Sequence, residues 1–85
     1  MSWQLELSRR SIRDMRSLPR DERRRINDRL HQAALNPGSA DLRKLSGGDN
    51  EWRLRVGRWR AIIGFDNASG TMTVLRVLPR DQAYR

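Results

Sequence analysis

The hydrophobic pattern changes period once, around Asn36-Pro37-Gly38, and that change limits the fold more than any other feature. Before it, Ile26, Leu30, Ala33 and Ala34 recur at helical spacing and put one apolar stripe on a helix predicted over residues 19–35. After it, the period is two: Trp52, Leu54 and Val56 point one way, and Arg53 and Arg55 point the other. Pro37 removes a backbone donor and Gly38 frees the chain, so the helix stops there. Helices first, then strands that follow one another directly, predict an α+β domain with an antiparallel sheet. A length of 85 residues is enough for one such domain, residues 1–85.

Local signals fill in the order. Trp3 to Leu7 alternates as a short first strand. Ser8 is an N-cap for a helix over 9–17, with Ile12 and Met15 on its inner side. Leu18-Pro19 breaks that helix, and Pro19 suits the first turn of the next. The outer face of the second helix interleaves Arg20, Arg23, Arg24, Arg25 and Arg29 with Asp21, Glu22 and Asp28, which allows i,i+4 pairs Asp21–Arg25 and Arg24–Asp28. Asp41 to Leu45 forms a short extended piece, and Ser46 to Asn50 a turn cluster. Gly57-Arg58 fits a two-residue type II′ hairpin turn. Arg60 to Asp66 reads as a strand buried on both faces, Asn67 to Gly70 as a second turn, and Thr71 to Leu78 as a β-branched strand. Pro79 to Arg85 is a polar tail with room for one helical turn. The expected order is β-α-α-β-β-β with a short tail, two N-terminal helices packed on one face of a small antiparallel sheet.

The charge needs explanation. Lys+Arg is 18 against Asp+Glu 10, a net of +8, and Lys44 is the sole lysine beside seventeen arginines. Codon usage in a GC-rich genome also favours Arg over Lys, but it does not produce a net excess. Arginine presents a planar, permanently charged fork that suits phosphate and carboxylate, so the surplus points to a polyanionic partner. From Trp52 onward there are seven arginines and two acids. Arg53 and Arg55 leave one strand face about 7 Å apart, a spacing similar to that of adjacent phosphates on a nucleic-acid strand. With Arg60 opening the neighbouring strand and Arg80 closing the last, four arginines are placed to converge on one side of the sheet. Trp52 and Trp59 fall on the opposite, core side, and His31 lies on the second helix, away from this cluster. The chain has no cysteine and one histidine, so it offers no disulfide framework, thiol nucleophile or Cys/His metal site. No apolar run approaches the 18 residues a spanning helix needs, and the N-terminus lacks a signal-peptide pattern, so a reducing cytoplasm is the expected setting.

These residues resemble a known family. The run Leu42-Arg43-Lys44-Leu45-Ser46-Gly47, the segment Glu51 to Ile63 with its paired basic residues before Trp59-Arg60, and the closing Val74 to Arg85 with Arg80-x-x-x-Tyr84 are similar to the RelE/ParE superfamily. Those proteins are toxins of bacterial type II toxin–antitoxin modules, and the likeness spans essentially the whole chain. Likeness to the RelE branch implies an endoribonuclease that enters the ribosomal A site and cuts mRNA without a metal or other cofactor. The ribose 2′-OH attacks the adjacent phosphate, leaving a 2′,3′-cyclic phosphate and a free 5′-OH. By that resemblance Arg60 binds the scissile phosphate, Arg80 serves the leaving oxygen, and Tyr84 stacks on or orients the base. Arg53 and Arg55 stand where the family often has lysines, one of them a proton acceptor; with Arg58 and Arg76 they complete the expected RNA and phosphate contacts, rRNA included. Arginine does not surrender its proton at neutral pH, so the base is open: Glu51, a Tyr84 phenolate, or positioning and electrostatics alone.

Two other readings compete. A ParE-like inhibitor would bind DNA gyrase and cut nothing; members of that branch generally lack the terminal Arg/Tyr pair. A non-catalytic RNA-binding domain would use the same basic strands. The toxin resemblance also implies a cognate antitoxin, an acidic or amphipathic segment that covers the basic face.

Overall fold

The computed structural model describes residues 2–45 and 50–80. Strand β1 (Gln4–Leu7) runs into helix α1 (Arg9–Arg16) through Ser8, whose hydroxyl accepts the Ser11 amide at 3.2 Å and donates to the Leu75 carbonyl at 3.0 Å. The cap thus starts the helix and ties it to the last strand. Helix α2 (Arg20–Leu35) follows, with Pro19 as its N-cap residue, one place earlier than the first-turn position the sequence suggests. A 3₁₀ turn at Pro37–Ser39 ends the helical half at the expected point. Strands β2 (Leu42–Lys44), β3 (Glu51–Val56), β4 (Trp59–Asp66) and β5 (Thr71–Pro79) complete the chain. Gly57 has φ +59° and no described non-glycine residue has positive φ, consistent with a type II′ turn at Gly57-Arg58.

The sheet order is β1-β5-β4-β3-β2. The three pairs from β2 to β5 are antiparallel, but β1 pairs with β5 in parallel, so the sheet is mixed rather than antiparallel throughout. The two helices carry the chain from β1 at one edge to β2 at the other, which lets the last hairpin return beside the first strand in the same direction. The fold is otherwise the expected α+β arrangement, with β2 realising the short extended piece.

The core lies between α2 and the sheet. Ile26, Leu30 and Ala33 pack against Leu54, Val56, Ile63 and Val74. Helix α1 lies along the edge of β5 beyond the end of β1, tied there by Ser8 to Val74 and Leu75 and by Asp14 to Val77. This short helix turns Ser11 and Met15 inward and leaves Ile12 39% exposed, against the expectation that Ile12 is inside. The pairs Asp21–Arg25 and Arg24–Asp28 do not close to ion-pair distance; among the described residues Glu22 instead reaches the β3–β4 hairpin. The expected turn over 46–49 and the tail beyond residue 80 lie outside the described residues.

Candidate functional site

Cross-strand register builds the site on the face of the sheet away from α2. Arg55 stands directly opposite Arg60, and Arg60 opposite Leu78. Arg53 stands opposite Ile62 on its β4 side and opposite Arg43 on its β2 side. Directly paired residues share a face, so Arg43, Arg53, Arg55 and Arg60 all project together. The Arg80 amide donates to the Arg58 carbonyl at 2.9 Å, which extends the β4–β5 ladder by a residue and brings Arg80 to the same end of the sheet.

Arg60 is the centre. It is 2% exposed, and its Nη1 donates to the carbonyls of Gly57 and Trp59, both at 2.9 Å. Those two bonds fasten the guanidinium to the hairpin tip. Its Nε is buried without a hydrogen-bond partner among the described residues. Burial lowers the Arg60 pKa, and the charges of Arg55, Arg53 and Arg80 lower it further, while Asp41 opposes them. The four arginines singled out from the sequence are therefore electrostatic neighbours in the fold. Nη1 is thus committed to the hairpin tip, while the Nε–Nη2 edge, of the kind that pairs bidentately with phosphate or carboxylate, makes no bond among the described residues. Preorganised positive charge of this kind stabilises negative charge that develops on a reacting phosphate.

The hairpin tip is itself held from behind. Glu22 on α2 accepts the Trp59 indole N–H at 3.0 Å and pairs with Arg58 Nη2 at 3.3 Å. Arg58 also lies over the Trp59 ring, 5.4 Å from its centroid. Arg58 is thus turned toward the helix rather than into the cluster.

The other expected site residues divide. Arg76 is committed to Asp14: Nε sits 2.9 Å from Oδ2 and Nη2 3.3 Å from Oδ1. Burial raises the Asp14 pKa, but the Arg76 side chain, the Val77 amide and the charges of Arg76 and Arg10 bring the net below the ordinary value of 3.8. Arg76 is therefore a structural cation at the β5 edge. Glu51 pairs with Gly64, four residues along β3 from Arg55, or roughly 13 Å of strand, and is not among the charges that act on Arg60. Tyr84 lies outside the described residues. Trp59 packs against the core as expected, and Trp52 meets Phe65 edge-on, with ring centroids 6.3 Å apart. Arg43 was missed at the sequence level; its signal was the register of a three-residue strand, since parity alone puts it beside Arg53 once β2 pairs with β3.

A sequence model of the family described as the ParE toxin of the type II toxin–antitoxin system, parDE, matches residues 5–84. Toxin RelE3 of Methanocaldococcus jannaschii is 31% identical over 77 residues, which cover 86% of this chain and 85% of that protein. Among solved structures, a chain of the toxin–antitoxin complex RelBE2 from Mycobacterium tuberculosis superposes with a TM-score of 0.84 at 18% identity, over 94% of this chain and 93% of that one. A chain of the RelB–RelE antitoxin–toxin complex from Methanococcus jannaschii gives 0.76 at 26% identity, over 93% and 94%. The fold, the length and the sequence agree, and the chain belongs to the RelE/ParE superfamily, the toxins of type II toxin–antitoxin systems.

Proposed function

We propose that this toxin is a ribosome-dependent mRNA endoribonuclease of the RelE type, active in the cytoplasm and restrained by a cognate antitoxin. The observation that carries the reading is the buried Arg60, flanked by Arg53, Arg55 and Arg80, with its Nε–Nη2 edge uncommitted among the described residues. Like charges gathered on one sheet face are unfavourable unless an anion joins them, and an RNA phosphate is an anion of the right shape. In the proposed step the 2′-oxygen forms a bond to phosphorus while the P–O5′ bond breaks. Arg60 holds the equatorial oxygens, whose charge grows in the transition state, and Arg80 stabilises the departing 5′-oxygen. Arg53, Arg55 and Arg43 track the neighbouring phosphates of mRNA or rRNA. Tyr84 orients the base, a role that rests on the family resemblance. No metal is required by this step.

Known structures of relatives contain antitoxin chains, as in the RelBE2 and RelB–RelE complexes. The matching partner here is a segment whose acidic side chains neutralise the arginine face, which would remove the anion site from solvent.

The test adds purified toxin to ribosomes programmed with a defined mRNA and maps new 5′ ends by primer extension. Discrete cuts within A-site codons, lost in Arg60→Ala and Arg80→Ala, are the expected result. A second reading, a gyrase inhibitor without nuclease activity, is favoured by the ParE description of the matching family. Intact mRNA together with gyrase-trapped DNA breaks would establish it. Ribosome or RNA binding with neither cuts nor trapped breaks would identify a non-catalytic RNA-binding domain.

A further inference from the structure

Among the described residues, one acid stands in the cross-strand row that holds Arg55 and Arg60. The Arg55 amide donates to the Asp41 carbonyl at 3.2 Å, and Leu42 pairs with Leu54, so the β2–β3 ladder continues one residue past the start of β2. Asp41 therefore stands opposite Arg55, as Arg55 stands opposite Arg60. A 2.9 Å bond from the Leu42 amide to the Ala40 carbonyl turns the chain at Asp41 and fixes its place at the strand entry. The row across the sheet is Asp41, Arg55, Arg60, Leu78. Asp41 is exposed, and none of its side-chain oxygens is held by an ion pair within the described residues. Glu51, the carboxylate the sequence offered, is displaced along β3 from this row.

The geometry points to Asp41 as the group that accepts the 2′-OH proton, with Arg55 and Arg60 holding the phosphate beside it. This rests on the nuclease reading above and supplies the base which that reading lacks. Arg53 and Arg55 cannot serve, because a guanidinium stays protonated at neutral pH. Two inter-strand steps separate Asp41 from Arg60, about 10 Å between backbones, with Arg55 between them, and the Asp41 charge acts on Arg60 across that gap. A phosphate seated between them leaves a ribose hydroxyl on the Asp41 side. The balance is complete: the 2′-O–H bond breaks and its proton passes to an Asp41 oxygen. The 2′-oxygen bonds to phosphorus, the P–O5′ bond breaks, and the 5′-oxygen takes a proton from water. Asp41 then releases its proton to solvent. The carboxylate also acts on Arg60 through its charge, opposing the three neighbouring arginines.

A role in charge balance alone predicts different kinetics. Removing a negative charge from a phosphate site tightens binding of the anion, whereas removing a base slows the chemical step. The test measures single-turnover cleavage on programmed ribosomes for the parent, Asp41→Asn and Asp41→Glu, as a function of toxin concentration. The expected result for Asp41→Asn is a maximal rate lower by about 100-fold or more, with half-saturation unchanged or at lower concentration. Asp41→Glu recovers most of the rate. The backbone carbonyl that makes the ladder bond is retained in both variants, and circular dichroism checks the fold. An Asn variant that cuts within about threefold of the parent overturns the inference and leaves the nuclease reading standing. A rate loss that Asp41→Glu does not recover also overturns it. A parent that leaves mRNA whole removes both.

Discussion

Arg55 and Arg60 stand directly opposite each other across the β3–β4 ladder, two like charges in one cross-strand pair with Arg60 almost wholly buried. Direct pairs of like charge destabilise a sheet by roughly 0.2–1 kcal/mol relative to neutral pairs. The arrangement costs stability, and under the proposed function that cost falls where an anion would bind. Arg55→Ala is therefore expected to raise the unfolding free energy by about 0.5 kcal/mol in low salt, and cleavage to fall. Sulfate or phosphate should stabilise the parent more than the variant, because an anion that binds only the folded cluster shifts the equilibrium toward it. Thermal unfolding in chloride and in phosphate reads both effects; equal gains in the two proteins would argue against an anion site at this pair.

Glu22 acts on Arg60 at one remove. It holds Trp59 and Arg58, and the Trp59 and Gly57 carbonyls hold Arg60. The Arg58 contact is exposed and contributes little; the indole bond to a carboxylate is the stronger one. Glu22→Ala is expected to lower stability by about 1–2 kcal/mol and to slow cleavage severalfold, while Arg58→Ala leaves stability within about 0.5 kcal/mol. Glu22→Gln keeps an acceptor for the indole and should recover most of the activity. Urea denaturation and the ribosome assay measure the two quantities.

The Asp14–Arg76 pair predicts an acid response. The folded-state pKa of Asp14 is depressed, so the stability it contributes is fully present above the ordinary value of 3.8 and is lost as pH falls through the lower folded value. Asp14→Asn removes that contribution. The variant is expected to be less stable than the parent by about 1–3 kcal/mol at neutral pH, because Arg76 and the Val77 amide lose a charged acceptor. The gap should narrow as both are acidified from 3.8 down through the depressed folded value, where the parent carboxylate also protonates. Unfolding free energies taken in pH steps check the sign; a gap that widens on acidification would contradict the assignment.

What the sequence made legible was local. The Ser8 cap, the stop at Pro37, the Gly57 turn and the parity of Arg53 and Arg55 are each encoded within a few residues, and each stands in the fold as expected. What was illegible was non-local. Nothing in Gln4 to Leu7 announces a parallel partner, because β1 finds β5 only after the helices have crossed the sheet. Arg76 meets Asp14 across 62 residues and Arg58 meets Glu22 across 36, so arginines that looked like site residues are engaged by structure. The register irregularity between Ile62 and Ile63 shifts strand parity midway along β4 and β5, and no local signal marks it. Asp41 joins the site only because β2, three residues long, pairs with β3 in one register.

The sharpest consequence concerns Arg60 itself. A buried guanidinium beside three other arginines, whose Nε has no partner among the described residues, is desolvated without full compensation there. Its two carbonyl acceptors belong to the hairpin tip, where Gly57 is exposed and water can replace the lost donor. Methionine matches the side-chain stem and removes both the charge and the orphaned donor. Arg60→Met is therefore expected to increase the unfolding free energy by about 1–2 kcal/mol, with the urea slope unchanged, and to abolish cleavage. Arg60→Lys should also lose cleavage, because an ammonium has no planar fork to present, and it should gain no stability because the charge remains. A melt in which Arg60→Met is less stable than the parent by more than about 1 kcal/mol would mean that the two carbonyl bonds outweigh the desolvation of the charge. The position would then be held for structure as well as for chemistry.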